Sequence, residues 1–390
     1  MNIIEVSTKA HSKEFLQLPL RIYQDDKNWI RPLDADIETV FNPQKNKTFQ
    51  HGVCCRWILQ NHEGETIGRV AAFIDFETMN KDNEQPTGGI GFFECINDQK
   101  AAFLLFDTCK NWLLQQDKGI AAMDGPINFG ERDSWWGCLK DGFYEPVYTM
   151  NYNPAYYNDF FIAYGFKDYF QQYTYYRELA DKLAPSLDAR AQRIIDNPDY
   201  EFKHLKFKEI DKYAADFRTI YNKAWGKHAG GKELSSEQVL SLLKQMKPVI
   251  DEKIIWFGYH KGEAIAFYVQ ILDANQVIRH VNGKMNWLGM LKFGYYKLFK
   301  KFDRVLGVVF GVVPDFQRKG VEMALIKAYS WVAHQPKYPY KTIQMKWVGD
   351  FNPKMMRVVE IIGSKIYKTH ITYRKLFDET KEFKRCPVIE

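Results

Sequence analysis

The sequence predicts an α/β protein made of two tandem copies of one fold, each copy a mixed central sheet flanked by helices. Three observations predict it. The chain has 390 residues, more than a single compact core ordinarily encloses. Several stretches of its first half recur, in the same order, about 198 residues later. Each copy also reads as strand, helix, hairpin, strand, helix, strand, helix, strand, the alternation of a layered α/β domain.

The repeats justify the elements in order. Tyr23 and Tyr221 are 198 residues apart, in amphipathic stretches that reach Trp29 and Trp225. "HEGETIGRVAAFID" (62–75) is echoed by "HKGEAIAFYVQILD" (260–273), each a strand, a Gly turn and a strand. "NPAYYNDFFIAYGFKDYFQQYTYYREL" (153–179) answers "NPKMMRVVEIIGSKIYKTHITYRKL" (352–376). Both open Asn-Pro, run through a helical segment to Gly165 or Gly363, and close in Tyr-Arg-x-Leu. Common hairpin and helix-stop chemistry produces one such echo; an ordered series indicates duplication. The expected boundaries are 1–182 for the first domain, 183–200 for a linker carrying Pro185 and Asn197-Pro198, and 201–390 for the second.

Composition narrows the function classes. Hydrophobic residues make up 46% and charged residues 26%, as in folded globular proteins, while the aromatic share of 16% suits cores and apolar clefts. A net charge of +6 accommodates an anionic cofactor or a membrane surface and is too mild to argue for nucleic acid, so no nucleic-acid partner is expected. The N-terminus lacks a basic-then-apolar signal pattern, and no apolar run reaches spanning length. The six cysteines are scattered without a CxxC pair, so neither a metal centre nor a disulfide framework is expected. The expected location is the cytoplasm, with peripheral contact to a membrane as the open variation.

The copies differ at one turn. "FECIND" (93–98) aligns with "FGVVPD" (310–315), each ending a strand in Asp. After Asp98 the chain continues "QKAAFLLF", whereas after Asp315 it continues "FQRKGVEMALI". A strand running into a basic, glycine-containing turn and then a helix holds anions by aiming unsatisfied N–H groups at them, with help from the helix dipole. Gly320 permits close backbone approach, and Arg318 and Lys319 add positive charge. Glu322 opposes it and is expected to point outward, flanked by the two cations.

Gln317-Arg318-Lys319-Gly320-Val321 resembles five of the six positions of the coenzyme A pyrophosphate loop of the GNAT acyltransferase superfamily, Gln/Arg-x-x-Gly-x-Gly/Ala, and departs from it at Glu322. Asn352, on a helix that stops at Gly363, resembles the later motif whose Asn contacts the pantetheine arm. The resemblance extends over the whole chain as a tandem GNAT protein. It implies acyl-CoA or acetyl-CoA as substrate and transfer to an amine of a small or lipid-like acceptor. It maps the thioester-polarising strand to Phe310–Val313, with Phe310, Val312 and Val313 facing the cofactor. The position where many GNAT enzymes carry a tyrosine acid is Val359 here and Phe161 in the first copy. An amine nucleophile also needs a base, for which Glu263, His260, Asp273 and His370 are the candidates. Their bland readings are hairpin polarity and structural histidines.

Three other segments enter the expectation. "GGIGFF" (88–93) leads into a strand rather than away from one, so it is no dinucleotide loop. The first copy, lacking the anion turn, reads as a degenerate partner with an insertion at 124–143, either a lid or a packed loop. The second copy inserts "NWLGMLKFGYYKLFKKFD" (286–303), with Trp287, Leu291, Tyr295, Leu298 and Phe302 at helical spacing beside Lys292, Lys300 and Lys301. This stripe reads either as core-facing or as the lining of a lipid site or membrane contact. It turns the acceptor and acyl group towards lipophilic chemistry, as in the tandem GNAT-like N-myristoyltransferases, which move fatty acyl groups, and in bacterial ceramide-forming acyltransferases, which the chain resembles. Two alternatives stand beside the acyl-CoA enzyme: a Fem-like aminoacyltransferase using aminoacyl-tRNA, and a non-catalytic binding protein of the same fold.

Overall fold

A computed structural model describes residues 1–81, 84–225, 233–299 and 302–389. The first half runs β1 (Asn2–Glu5), α1 (Lys9–Ile22), α2 (Asp34–Val40), β2 (Gly52–Gln60), β3 (Thr66–Asp75) and β4 (Thr87–Cys95). It continues with α3 (Gln99–Gln115), β5 (Ala122–Gly125), β6 (Cys138–Asp141), α4 (Tyr156–Ala163) and β7 (Lys167–Glu178). Helix α5 (Pro185–Ile195) bridges to the second half: β8 (Tyr200–His204), α6 (Ile210–Trp225), α7 (Ser236–Met246), β9 (Ile255–His260) and β10 (Glu263–Leu272). There follow α8 (Asn275–Ile278), α9 (Trp287–Phe299), β11 (Arg304–Val312), α10 (Val321–Ala333), β12 (Thr342–Gly349), α11 (Pro353–Ile361) and β13 (Lys365–Leu376).

The duplication is visible in the geometry. The β2–β3 and β9–β10 hairpins turn on Gly64 and Gly262, both at φ 82°, which only glycine adopts without strain. Helices α4 and α11 both stop at a left-handed glycine, Gly165 or Gly363. In each, the next N–H reaches back five residues, Phe166 to Phe161 and Ser364 to Val359, the Schellman closure that satisfies helix-end carbonyls.

All described strands form one sheet in the order β1-β2-β3-β4-β5-β13-β7-β12-β11-β10-β9-β8, with β6 added on β13. The two halves therefore exchange their last strands: β13 pairs with β5 of the first half, and β7 pairs with β12 of the second. The two exchanged strands also pair with each other over nine register positions. Apolar clusters fill both sides of this sheet. Leu105, Phe106 and Cys109 of α3 pack on β3 and β4, and Phe217 of α6 sits 4.6 Å from Phe267 of β10.

Three expectations change against this frame. The stretch expected as a linker carries α5, whose buried Ala191 lies in the second half's core and whose Asp188 takes an ion pair from Lys327 of α10 at 2.7 Å. The 124–143 insertion is packed, not a free lid: Phe129 and Trp136 are buried, β6 joins the sheet, and the Trp136 indole donates to Thr372 at 3.0 Å. Trp287, Leu291, Tyr295 and Leu298 of α9 face solvent rather than the core, while Phe302, beyond the end of the helix, is buried. Lys300 and Lys301 lie outside the described residues.

Candidate functional site

The sheet opens at one place in each half. Strands β11 and β12 run parallel and pair only from Arg304↔Thr342 to Gly307↔Met345. Beyond Gly307, β11 continues to Val312 beside β10 alone. A bulge at Val308, skipped between the Gln270↔Gly307 and Val269↔Val309 pairs, turns this stretch away from β12. The Val313 N–H donates to Ile265 O of β10. In an antiparallel ladder the neighbouring residues alternate, so Phe310 and Val312 turn their N–H and C=O groups towards the opening. Val313, grouped with them in the sequence reading, turns its N–H the other way.

At the head of this strand the Gln317 amide donates to the Val312 carbonyl at 3.0 Å, anchoring the turn that follows. Arg318 stands at φ 61° and Gly320 at φ 87°, and Gly320 occupies the N-cap of α10 without any side-chain cap. The first bonded N–H of the helix is that of Ala324, to Gly320 O at 3.0 Å. Among the described residues, the N–H groups of Arg318, Lys319, Gly320, Val321, Glu322 and Met323 donate to nothing. Arg318 and Lys319 are exposed on the rim, and Val321 is buried. The arrangement suits a pyrophosphate: converging donors, a positive helix end and two cations. Glu322 differs from the expectation of an outward carboxylate, because its Oε2 is buried and unpaired.

The first half shows what an occupied version looks like. Strands β4 and β5 also part after three pairs, and Phe92 marks the corresponding bulge at φ 51°. Here the Cys95 N–H, the counterpart of Val312, is taken by the Tyr157 hydroxyl at 2.8 Å, and the Cys95 carbonyl by Tyr156 at 2.9 Å. The α3 N-terminus is closed by Asp98, whose carboxylate accepts from the N–H of Lys100 and Ala101. The strand N–H and the helix N-terminus that are free in the second half are therefore satisfied internally in the first. Tyr157 also donates to Glu94, which Tyr23 and Arg69 reach as well. Burial pushes the Glu94 carboxyl above its usual range, and Arg69 opposes that shift.

The remaining sequence candidates do not converge on the opening. Strands β9 and β10 lie on the far side of β11 from it. There Glu263 is exposed at the hairpin, and His260 packs 5.1 Å from Phe316 at the base of the turn. Asp273 is fully buried. It forms an ion pair with Arg304 at 3.1 Å and accepts from the N–H groups of Tyr148 and Asn275, each at 3.1 Å. Burial raises its carboxyl, and its partners tie the two halves together. His370 is buried on β13 with Nε2 3.0 Å from Asn151 O. Asn352 caps α11, accepting from Met355 N at 3.1 Å, and its Nδ2 makes no hydrogen bond among the described residues.

Burial lowers His370 to a pKa of about 4, so the ring is neutral at pH 7. The unfolded ring titrates near 6.5. Between pH 6.5 and 4 only the unfolded state gains this proton, so the stability present above pH 6.5 is lost as acid is added. The loss attributable to the ring amounts to about 3 kcal/mol. Denaturant unfolding of His370→Gln at pH 7 and pH 4.5 should show a smaller acid loss than the parent chain. Equal losses would refute the buried neutral ring.

Sequence reasoning missed the opposite wall of the opening. A register shift between Met345 and Val348 bulges Lys346 and Trp347 out of β12, with Trp347 at φ 66°. The Trp347 indole N–H is buried without a partner, and the ring lies 6.1 Å from His370. Lys346 reaches Asp133 O at 2.9 Å and the Thr149 hydroxyl at 3.3 Å, and burial lowers its ammonium pKa. Beside Val359, where the family's acid would stand, Glu360 accepts from the Tyr175 hydroxyl of β7 at 3.0 Å. No local signal in "QMKWVGD" announces a bulge; only the exchanged pairing with β7 creates it.

A cavity of about 620 Å³ lies elsewhere, lined by the first half together with Arg374 and residues 386–389 of the second. Phe73, Phe129, Trp136 and Tyr169 wall it beside the paired Asp124 and Arg374, which meet at 2.6 and 2.7 Å. Among the described residues no three His, Cys, Asp or Glu side chains group as metal ligands.

Comparison with known proteins bears on the fold. No protein-family model matches the chain. Among solved structures, a tandem GNAT protein from the clavulanic acid biosynthesis pathway superposes with a TM-score of 0.53 at 9% identity, covering 97% of this chain and 99% of that one. The chain has the tandem GNAT fold. A GCN5-related glucosamine N-acetyltransferase region of a fungal multi-domain β-N-acetylglucosaminidase gives 0.55 at 12% identity; the match covers 96% of this chain and 38% of that longer protein. By sequence the chain is 26% identical over 386 residues to the bacterial ceramide synthase of Caulobacter vibrioides, covering 96% of this chain and 97% of the relative. It is 23% identical over 378 residues to protein YghO of Escherichia coli, covering 94% and 93%. At a coarse level these likenesses support an acyl-transferring enzyme with the tandem GNAT fold.

Proposed function

We propose that the protein is an N-acyltransferase that moves an acyl group from acyl-CoA to the amine of a lipid-like acceptor, using the opening in its second half. The contrast between the two halves carries this reading. Donors satisfied by Asp98 and Tyr157 in the first half stand free at Gly320 and Val312 in the second.

The turn at Arg318–Met323 would hold the pyrophosphate, and the pantetheine would lie between β11 and β12, within reach of Asn352 Nδ2. The amine attacks the thioester carbonyl, whose oxygen gains negative charge; an N–H from Phe310 or Val312 stabilises it, a contribution of about 10²–10³ in rate for one such donor elsewhere. Collapse expels the coenzyme A thiolate. The proton released by the new amide nitrogen balances that thiolate, giving amide and free thiol. The likeness to a ceramide synthase, whose product is an N-acylated long-chain amino alcohol, favours a long acyl group and a long-chain amine.

The test is thiol release from acyl-CoAs of increasing chain length, with and without a long-chain amino alcohol such as sphinganine. Amine-dependent release that rises with acyl length is expected. Silence across the series, in protein shown to be folded, would remove the acyl-CoA reading and leave the aminoacyl-tRNA-dependent enzyme or a binding protein.

A further inference from the structure

Helix α9 presents to solvent what most proteins bury. Trp287 is 65% exposed, Leu291 63%, Leu298 79% and Phe299 70%, with Met290 and Tyr295 at 58% each. The helix is nevertheless firmly seated. Phe293 and Tyr296 pack against the second half's core, and the His280 ring stacks on Tyr296 at 3.8 Å. Gly289 is buried where an added Cβ would fall 2.0 Å from Lys284 O, so the chain meets its own preceding turn closely there. A short anchored helix with a continuous apolar outer face has its occupant outside the fold.

The charge identifies that occupant. From His280 to Phe302 the sequence holds five lysines, at 284, 292, 297, 300 and 301, and no acidic residue. Neither Lys292 nor Lys297 makes an ion pair among the described residues. A second copy of this face would bring lysine against lysine, whereas an anionic lipid surface would complement it. Trp and Tyr beside the lysines are the side chains that settle at headgroup depth. Thirteen residues make a helix of roughly 20 Å, too short to cross a bilayer, and no described helix is long and apolar enough to do so. We infer that α9 lies in the plane of an anionic membrane surface, its apolar face sunk to the headgroup boundary and its lysines on the phosphates.

The placement ties this contact to the opening. Phe293 of α9 joins the cluster of Ile30, Leu33, Ile278 and Tyr148. Tyr148 is also the residue whose N–H reaches Asp273 and whose carbonyl lies 3.4 Å from Lys346. Membrane contact at α9 thus sets the lipid surface beside the loop that covers Lys346, where a lipid-like amine would enter. This deepens the lipid-acceptor reading above, while the contact itself is tested without substrate.

The experiment is co-sedimentation of the full chain with vesicles of phosphatidylcholine alone and of phosphatidylcholine with phosphatidylglycerol. Binding confined to the anionic vesicles and weakened by salt is expected. Lys292→Glu/Lys297→Glu should lower partitioning roughly thirtyfold or more. Leu291→Ser/Leu298→Ser, at outward positions that leave the core intact, should lower it roughly tenfold or more. Wild-type protein left in the supernatant with anionic vesicles, or variants that sediment as well as wild type, would overturn the proposal. So would a concentration-dependent dimer in sedimentation velocity that the serine variant abolishes, since a second copy would then be the occupant. Acyl-CoA affinity, measured in parallel by calorimetry, should be unchanged in both variants, so failure of the membrane contact and failure of the acyltransferase reading give different results.

Discussion

Gly320→Asp should abolish most acyl-CoA affinity, by roughly a hundredfold. The substitution would place a carboxylate where the first half has Asp98, which already closes its own helix end by taking the N–H groups of Lys100 and Ala101. The new carboxylate would compete for the same donors intramolecularly and repel the incoming phosphates, a penalty of about 3 kcal/mol at the effective dielectric of a protein surface. Gly320→Ala separates charge from backbone strain. Its Cβ would meet only Ile194, at 3.8 Å, so its cost is the left-handed conformation, about 1–2 kcal/mol. Calorimetry with one acyl-CoA should therefore rank wild type, Ala and Asp in that order. Equal affinity in a folded Asp variant would end the assignment of the turn. The reciprocal change, Asp98→Ala, should cost about 1 kcal/mol of stability and create no second site, because Tyr157 still holds the Cys95 N–H.

Asp273→Leu should destabilise the protein by about 3–5 kcal/mol. It leaves Arg304, only 19% exposed, without its buried partner, and strands the N–H groups of Tyr148 and Asn275. The loss falls on the seam between the halves, where Asn275 also holds Pro146 O at 2.8 Å and Arg279 pairs with Glu145 at 2.6 Å. Asp273→Asn keeps an acceptor for those N–H groups and should cost less. The same variant decides the residue's role. A general base removed costs about 10²–10⁴ in rate, whereas a structural tie costs stability with kcat held within about tenfold per folded molecule. Denaturant unfolding and turnover on the same preparation separate the two.

Much of this was legible in the chain. The 198-residue echo carries the duplication because the turns it repeats need glycine at a left-handed φ, and both Gly64 and Gly262 adopt it. The glycine turn ahead of α10 was legible for the same reason at Gly320. What stayed hidden depends on strand pairing. The α9 stripe has the periodicity of a buried face, and periodicity does not say which side of a helix the fold covers. Asp273 and His370 were candidate bases by residue type alone; the Tyr148 N–H that reaches Asp273 and the Asn151 carbonyl that meets His370 come from over a hundred positions away. Lys346 and Trp347 gave no signal at all, because a bulge belongs to a pair of strands and not to either one.

The exchange of β7 and β13 also bears on how the chain is made. A ribosome releases β7 at residue 178, but its long partner begins only at Lys365. At ordinary synthesis speeds that leaves it exposed for roughly ten to forty seconds. During that interval the first half has β5 as a bare edge, since its neighbour in the finished sheet is β13. The nascent protein must shield two unpaired strand edges until its closing segment arrives, so its yield should depend on chaperone supply more than on the stability of the finished fold.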